Sequence, residues 1–388
     1  MILREIIFRP LAALAAVIHL SSALQAAADS SLPVPPDSPR WSLEGKASII
    51  EFQGRKCFKL EGGDALLKDP ELRDGVIDVD VNAPGARGFF GIQFRIDPDK
   101  GSGEWVYLRS HKSGLPDAQQ YTPILNNGLA WQIFNGPGFT GPLDIPKDTW
   151  FHMRLELTGA QARLFVVDMD KPSLVMSDLK SGNRTGLVAL AVLTGTTYFS
   201  GFTVRETAPV PWEHHLPPMP ADTITQWSLS PAYDATDLNP ERPLSPAQSN
   251  GIVWQDVIAE PPGFVVINRY RESPGVTPTF HKDFSKRLDP QKGAKTIYAR
   301  TSIVADRDEV KRLYIGYSDE VSVFLNGGIL YRGRSAQGFR DSGFLGIVNP
   351  ENDAVYLPLR KGVNDLTLAV SEFGGGWGFI CRLSAMEN

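Results

Sequence analysis

The stretch FFGIQFRIDPDKGSGEWVYLRSHKSGLPDAQQYTP, residues 89–123, decides the fold class. Apolar residues alternate with polar or aromatic ones on both sides of the segment DPDKGSG. A period of two is typical of a β-strand that buries one face, and Gly, Pro and Asp are typical of turns. The stretch therefore predicts a β-hairpin followed by a polar loop.

The alternation sorts the side chains of this hairpin onto two faces. One face would be apolar and hold Phe90, Ile92, Phe94, Ile96, Val106 and Leu108. The other would hold Gln93, Arg95, Trp105, Tyr107 and Arg109. A guanidinium can pair with a carboxylate or with vicinal hydroxyls, and an aromatic ring can stack on a sugar ring. The second face therefore has the chemistry of a surface for sugars.

The same pattern of short alternating runs continues along the chain. With 36 glycines and 30 prolines spread over 388 residues, many strands must be joined by tight turns. WFHMRLELTG at 150–159 predicts a half-buried strand, and GLAWQIFNG at 128–136 reads as another strand-like run. Further along, Asn326-Gly327-Gly328 predicts a hairpin turn, and Lys361-Gly362 predicts a turn between two more strands. We expect an all-β protein with two antiparallel β-sandwich (jelly-roll) domains in tandem.

Composition shifts predict the domain boundaries. Residues 1–28 have the basic start, apolar run and small residues of a signal peptide, with a retained membrane anchor as the alternative. Residues 29–40 are a proline-rich lead-in, and 207–226 a proline-rich linker. The domains would span 41–206 and 227–388. We therefore expect a secreted or periplasmic protein whose mature chain has no membrane span.

Charge and cysteine content exclude some classes of partner. The formal net charge is −5, so the basic surplus typical of nucleic-acid binding is missing. The two cysteines, Cys57 and Cys381, fall in different predicted domains. Isolated buried thiols are the preferred interpretation, and a bridge between them is the alternative.

Two resemblances add to this interpretation. The run VSVFLNGGILYRG followed by LPLRKGVNDLTLAVSEFGGGWGFICRL resembles the galactose-binding-like jelly rolls found in β-galactosidase-type glycoside hydrolases. The order DGVIDVDV, GIQFR, EWVYLR, WFHMRLEL and ARLFVVD resembles a concanavalin A-like or laminin-G-like sandwich and is similar to the 3-keto-disaccharide hydrolase group. The resemblance implies a carbohydrate-related function. The glutamate-containing catalytic strand of the β-glucanase branch is absent, because VIDVDV supplies only Asp78 and Asp80.

The candidate site centres on the hairpin and its following loop. The predicted ligand-binding residues are Gln93, Arg95, Trp105, Tyr107, Arg109, Asp117, Gln120, Tyr121 and Trp131. If the protein is catalytic, His111 could act as a base, with Tyr107 as an acid or hydrogen-bond donor and Arg109 beside them. A solvated sheet face without a ligand is the alternative. Asp78 and Asp80 are expected to neutralise arginines.

We expect a secreted carbohydrate-binding protein that engages an oligo- or polysaccharide on the concave sheet of its first domain, with an accessory sugar-binding second domain. The alternatives are a glycoside hydrolase or polysaccharide lyase at the same sheet, and a structural or adhesive module. No catalytic metal or cofactor is expected. A structural calcium ion at the segment of Asp97, Asp99 and Glu104 is the alternative to a plain hairpin loop.

Overall fold

The computed structural model describes residues 32–213, 218–234, 237–272 and 294–385. The expected signal peptide, residues 1–28, lies outside the described residues. The prediction of an all-β fold is confirmed, since twenty-five β-strands and a single six-residue α-helix make up the regular structure of these ranges apart from short 3₁₀ turns. No helix in them is long and apolar enough to cross a membrane.

The first fourteen strands form one antiparallel sheet. They are β1 (Leu32–Pro33), β2 (Trp41–Phe52), β3 (Arg55–Leu67), β4 (Gly75–Asn82), β5 (Phe89–Asp97), β6 (Ser102–Leu108), β7 (Gln119–Leu125), β8 (Gly128–Leu129), β9 (Thr140–Gly141), β10 (Trp150–Thr158), β11 (Gln161–Val166), β12 (Leu174–Met176), β13 (Leu187–Thr194) and β14 (Thr197–Glu206). The strand order is β12-β11-β10-β4-β14-β3-β13-β5-β6-β7-β8, with β1, β2 and β9 paired at its edges.

This sheet curls so that its two halves pack face to face. Ile92 and Val106 from one half share a buried cluster with Ile77 and Leu155 from the other. The alternation predicted for 150–159 is confirmed, because every second residue of β10 from Phe151 is buried. The apolar faces of short alternating strands thus make the core of the first sandwich.

The remaining strands form a second sandwich from two sheets. They are β15 (Gln226–Leu229), β16 (Tyr233–Asp234), β17 (Gln255–Ile258), β18 (Phe264–Val266), β19 (Lys295–Ala305), β20 (Glu309–Ser318), β21 (Glu320–Leu325), β22 (Gly328–Arg334), β23 (Asp353–Leu359), β24 (Gly362–Glu372) and β25 (Gly378–Ala385), with α1 at Pro246–Gly251. One sheet has the order β17-β15-β19-β24-β21-β22, with β16 on β19, and the other has the order β18-β25-β20-β23.

The turn chemistry predicted for this sandwich is confirmed. Asn326 and Gly327 have φ of 50° and 77°, and they join β21 to β22 as a tight hairpin. Residues 360–361 connect β23 to β24, which lie in different sheets, so this turn carries the chain across the core. Cys57 and Cys381 are both buried and unbonded, as the preferred interpretation held.

The two sandwiches share a buried contact that local sequence patterns did not predict. Only Gly128–Leu129 of the strand-like run 128–136 is a strand, so that prediction is wrong for the rest of the run. Ile133 and Phe134 instead pack against Phe264 and Ile380 of the second sandwich. The segment is as apolar as a strand because its side chains are buried against the other domain, although its backbone forms turns.

Gln132, in the same segment, ties the two sandwiches together with four hydrogen bonds. Its Nε2 donates to the Leu345 carbonyl (3.1 Å), and its Oε1 accepts from the Ser318 hydroxyl (3.0 Å). Its backbone N–H donates to Gly375 and its carbonyl accepts from Val348. A buried amide with every group paired holds the two bodies in one relative position.

Candidate functional site

A cavity of about 610 Å³ lies between the two sandwiches, on the outer face of the predicted hairpin. This volume is within the range of small-ligand clefts. The first sandwich contributes Arg87, Phe89, Trp105, Tyr107, Arg109, His111, Lys112, Asp117, Leu129, Trp131, Leu193 and Thr194. The second contributes Gln337, Ser342, Gly343, Leu345, Phe373, Gly374 and Gly375.

Strand pairing brings the two aromatic rings of β6 to the floor of this cavity. Trp105 lies opposite Gln93 and Tyr107 opposite Gly91, so both rings leave the sheet on the side away from the first core. Their centroids are 4.5 Å apart at an interplanar angle of 32°. The neighbouring strand β13 presents Ala189 and Ala191 between Leu187 and Leu193 on this face, and the two small side chains leave room for both rings. The two rings form an aromatic floor, and both side chains are almost fully buried.

Arg109 is fixed behind this floor by a hydrogen-bond network. One Nη donates to the Tyr107 hydroxyl (3.0 Å) and to Gln120 Oε1, and the other to the Asp117 carbonyl (2.6 Å). The Tyr107 hydroxyl donates to Gln120 Oε1 at 2.9 Å, and Gln120 Nε2 donates to the carbonyls of Trp131 and Phe134. Gln120 thus supports the site without lining it. Planar donors held in this way are oriented before a ligand arrives.

A basic wall stands on one side of the cavity. The guanidinium carbons of Arg87 and Arg109 lie 5.5 and 5.8 Å from the centroid of the Phe89 ring, and the His111 ring lies 5.2 Å from it. Lys112 Nζ is 3.5 Å from an Asp117 oxygen. Burial, and then the nearby charges of Arg87, Lys112 and Arg109, lower the pKa of His111. His111 is therefore neutral near pH 7 and can accept a proton or a hydrogen bond.

Tyr107 is a hydrogen-bond donor in this site rather than an acid. Its side chain is only 3% exposed, and burial raises the pKa of Tyr107 above its ordinary value. A phenol with a raised pKa stays protonated at neutral pH and gives up its proton reluctantly. The interpretation of Tyr107 as an acid is therefore disfavoured.

The roof of the cavity comes from the loop after β24, which sequence reasoning did not select. Asp319 Oδ2 accepts from the N–H groups of Phe373 (2.7 Å) and Gly374 (3.3 Å). Burial raises the pKa of Asp319 to about 6. The run of three glycines at 374–376, each with positive φ, was the one available sequence signal for a loop that approaches another backbone closely.

Two of the predicted site residues, Arg95 and Tyr121, do not line the cavity. Arg95 has φ of 49° at a break in the β5–β6 register, and its guanidinium donates to the Arg73 carbonyl at 2.6 Å. Tyr121 lies opposite Val106 and so faces the first core, where its hydroxyl donates to Glu104 Oε2 at 2.7 Å.

The register break also moves Ile96, which joins the cluster of the aromatic floor instead of the first core. Gln93 does share the outer face with Trp105, as predicted, but it is fully buried beneath the site. Strict alternation therefore holds up to Phe94 and fails at the bulge.

Carboxylates are sparse at the cavity. Among the described lining residues, Asp117 is the one carboxylate, and it lies 3.8 Å from Arg109 as well as close to Lys112. Glu104 is buried in the first core, where burial raises its pKa to about 7. In the part of the chain that the structure describes, no three His, Cys, Asp or Glu side chains are grouped so as to hold a metal ion.

Asp78 and Asp80 neutralise basic groups, as expected. Their partners are His152, Arg154 and Arg55, at 2.6–2.9 Å, on the outer face of β4 and β10. These residues do not line the cavity. They are a surface network of the first sandwich.

A second, more open groove lies on the outer face of the seven-stranded sheet. It has a volume of about 1060 Å³, and strand register places Asp256, Ser228, Arg300 and Thr367 in one row across it. The Arg300 guanidinium lies 4.0 Å from the centroid of the Trp254 ring. Because polar groups lie beside an aromatic ring here, this groove is a second candidate surface for ligand binding.

Comparisons with known proteins give low similarity throughout. No protein-family model matches the chain, and no curated protein matches it in sequence. Among solved structures, the carbohydrate binding module CBM66 from Bacillus subtilis aligns with 43% of this chain and 96% of its own, at 16% identity and a TM-score of 0.35. A protein of unknown function with a galectin-like fold from Bacillus subtilis aligns with 47% and 98%, at 13% identity and a TM-score of 0.37.

The fourth domain of an extracellular arabinanase from Geobacillus stearothermophilus aligns with 47% of this chain and 84% of its own, at 14% identity and a TM-score of 0.27. Each of these alignments covers less than half of the chain at a low TM-score. The assignment of the fold therefore rests on the strand pairing described above.

Proposed function

We propose that the protein binds carbohydrate in the cavity between its two sandwiches. The observation that carries this proposal is the floor of Trp105 and Tyr107, flanked by Trp131 and by an Arg109 held in a fixed network. Aromatic faces stack on the apolar faces of sugar rings, and oriented donors bind the hydroxyls around their edges. The signal peptide predicted for residues 1–28 would export the protein to a compartment where extracellular or periplasmic glycans occur.

Both sandwiches take part in this site, because Phe373, Leu345 and Gln337 of the second lie across from Trp105 of the first. Carbohydrate would therefore enter between the domains rather than lie on an open sheet. This enclosure favours a short oligosaccharide or a chain end over the flat side of a long polymer.

The test is a broad glycan array followed by titration calorimetry on the wild type and on Trp131→Ala. Trp131 lines the cavity while remaining partly exposed, so its loss should weaken binding by about 1–3 kcal/mol without unfolding the protein. Trp254→Ala is the matched control, because Trp254 contacts Arg300 of the second groove and does not line the cavity, so binding at the cavity should be unchanged.

The same pair of variants tests the second groove as an accessory sugar site. Glycans that bind there should lose affinity in Trp254→Ala and keep it in Trp131→Ala. If no glycan binds the wild type, the proposal fails and a structural or adhesive role takes its place.

An enzyme at the same cavity is the second candidate, because a neutral His111 lies beside two arginines. Glycoside hydrolysis commonly needs two carboxylates, and Asp117 is the single one among the described lining residues. Abstraction of a proton by His111 would instead suit a lyase. Mass spectrometry of glycans incubated with the protein distinguishes the two roles. Release of reducing ends, keto-sugars or unsaturated products by the wild type, lost in His111→Ala with binding retained, would replace the binding proposal.

A further inference from the structure

The charge of the cavity is opposite in sign to that of the chain. The chain has a formal net charge of −5, yet the described lining holds Arg87, Arg109 and Lys112 against one carboxylate, Asp117. With His111 neutral, the lining carries a net charge of two positive units. A concave site walled by protein concentrates this potential toward the ligand.

The three cations are not equally available to a ligand. Arg109 is 5% exposed and is committed to Tyr107, Gln120 and Asp117. Lys112 pairs with Asp117 at 3.5 Å. Arg87 is exposed, lies over the Phe89 ring, and makes no ion pair among the described residues. The face of Phe89 holds the guanidinium at the cavity without using its five N–H donors.

Two other arginines of the described residues that lie over aromatic rings differ from Arg87. Arg55 lies over the Trp150 ring in a similar way, but its guanidinium pairs with Asp80 at 2.6 Å. Arg300 at the second groove does not line the interdomain cavity, and it shares a cross-strand row with Asp256, with Ser228 between them. Arg87 is thus an aromatic-supported cation at a cavity whose other two cations both lie beside Asp117.

From this arrangement we infer that the interdomain cavity selects saccharides that carry an anionic group, a carboxylate or a sulfate, bound by Arg87 while the ring of the sugar lies against Trp131, the partly exposed aromatic ring of the lining. This inference rests on the proposed function and names the substrate class of the same site. Neutral glycans of equal length would contact the same aromatic side chains but would leave the guanidinium without an anion.

Titration calorimetry with three sets of oligosaccharides of equal length tests the inference: oligouronates, sulfated oligosaccharides and neutral oligosaccharides. At about 0.05 M salt, at least one anionic set should bind about tenfold more tightly than the neutral set, and this advantage should shrink at about 0.5 M salt. The comparison between the two anionic sets shows which group the cavity takes.

Arg87→Gln removes the charge and keeps a polar, though shorter, side chain. It should weaken binding of the anionic oligosaccharide about fivefold to tenfold and leave the neutral one unchanged, because an exposed ion pair contributes modestly. Arg307→Gln, which neutralises an exposed arginine that does not line the cavity, is the matched control and should change neither.

His111 supplies an independent readout by NMR. The nearby cations lower its pKa, so an anion bound beside Arg87 should raise that pKa, while a neutral glycan should not produce a comparable rise.

The outcomes separate this inference from the proposed function. Equal, salt-insensitive binding of neutral and anionic glycans, with loss in Trp131→Ala, would overturn the anionic preference and keep the carbohydrate site. Anionic binding that survives Arg87→Gln would overturn the assignment to Arg87. Absence of binding by all three sets would overturn both proposals.

Discussion

At the scale of single residues, His152 shows how charged side chains on the outer face of a sheet form a network of ion pairs. It lies between Asp78 and Asp80 on the outer face of β4 and β10, with Nε2 at 2.9 Å from one carboxylate and Nδ1 at 2.7 Å from the other. Hydrogen bonds to Asp78 and then Asp80 raise the pKa of His152 to about 9. The same contacts lower the pKa of both aspartates.

These shifts predict how stability depends on pH. Because the folded pKa of His152 exceeds its unfolded value, its contribution is complete below about pH 6.5 and is lost as pH rises through about 9. We expect His152→Gln to lower the free energy of unfolding by about 1–2 kcal/mol at pH 6, after allowance for a side chain that is one-third exposed. Near pH 10 the two proteins should be about equally stable.

Denaturant titration at both pH values checks this expectation. A difference between wild type and variant that stays constant from about pH 6 to about pH 10 would show that folding does not raise the pKa of His152. The aspartates act at the other end of the range, since their lowered pKa values give stability that is lost as pH falls below about 4.

At the scale of elements, the shape of the site depends on strand β13 as much as on the hairpin that carries Trp105 and Tyr107. Ala189 and Ala191 pair with β5 and leave the space that the two rings occupy. The aromatic residues are conspicuous in the sequence, whereas the alanines that make room for them are not. The role of these small residues can be recognised only when the neighbouring strand is known.

Ala191→Leu should therefore overpack the aromatic floor. We expect a loss of about 1–3 kcal/mol in the free energy of unfolding, together with a changed near-ultraviolet circular dichroism signal from the displaced Trp105 and Tyr107 rings and weaker glycan binding. Ala162→Leu, a buried alanine of β11 in the first core, is the matched control. It should destabilise comparably while sparing binding by the folded protein, and equal loss of binding in both variants would contradict the role given to β13.

At the scale of the whole molecule, the second sandwich covers the site that the first one carries. Gln132 is held by the Ser318 hydroxyl and by the backbone carbonyls of Leu345 and Gly375, and the apolar contact of Phe134 with Phe264 lies beside it. The relative position of the domains therefore sets the size of the cavity.

Gly375→Ala tests this coupling. Gly375 has φ of 112°, and a Cβ there would overlap the Gln132 side chain. We expect the free energy of unfolding to fall by about 2–4 kcal/mol and the calorimetric transition to separate into two. Glycan binding should also weaken. Gly338→Ala is the control, because its φ of 74° imposes a similar backbone cost while a Cβ would meet nothing within 4 Å. A single unchanged transition in Gly375→Ala would show that this contact does not couple the domains.

The sequence by itself determined the features that depend on near neighbours along the chain. The all-β class, the hairpin at Asn326-Gly327 and the common side of Trp105 and Tyr107 follow from a period of two and from turn chemistry, which are local properties. The tertiary structure alone decided the face of Arg95, the irregular path of residues 130–135 and the roof at Phe373. Each of these depends on strand register or on burial against a second domain, which are contacts between residues far apart in sequence.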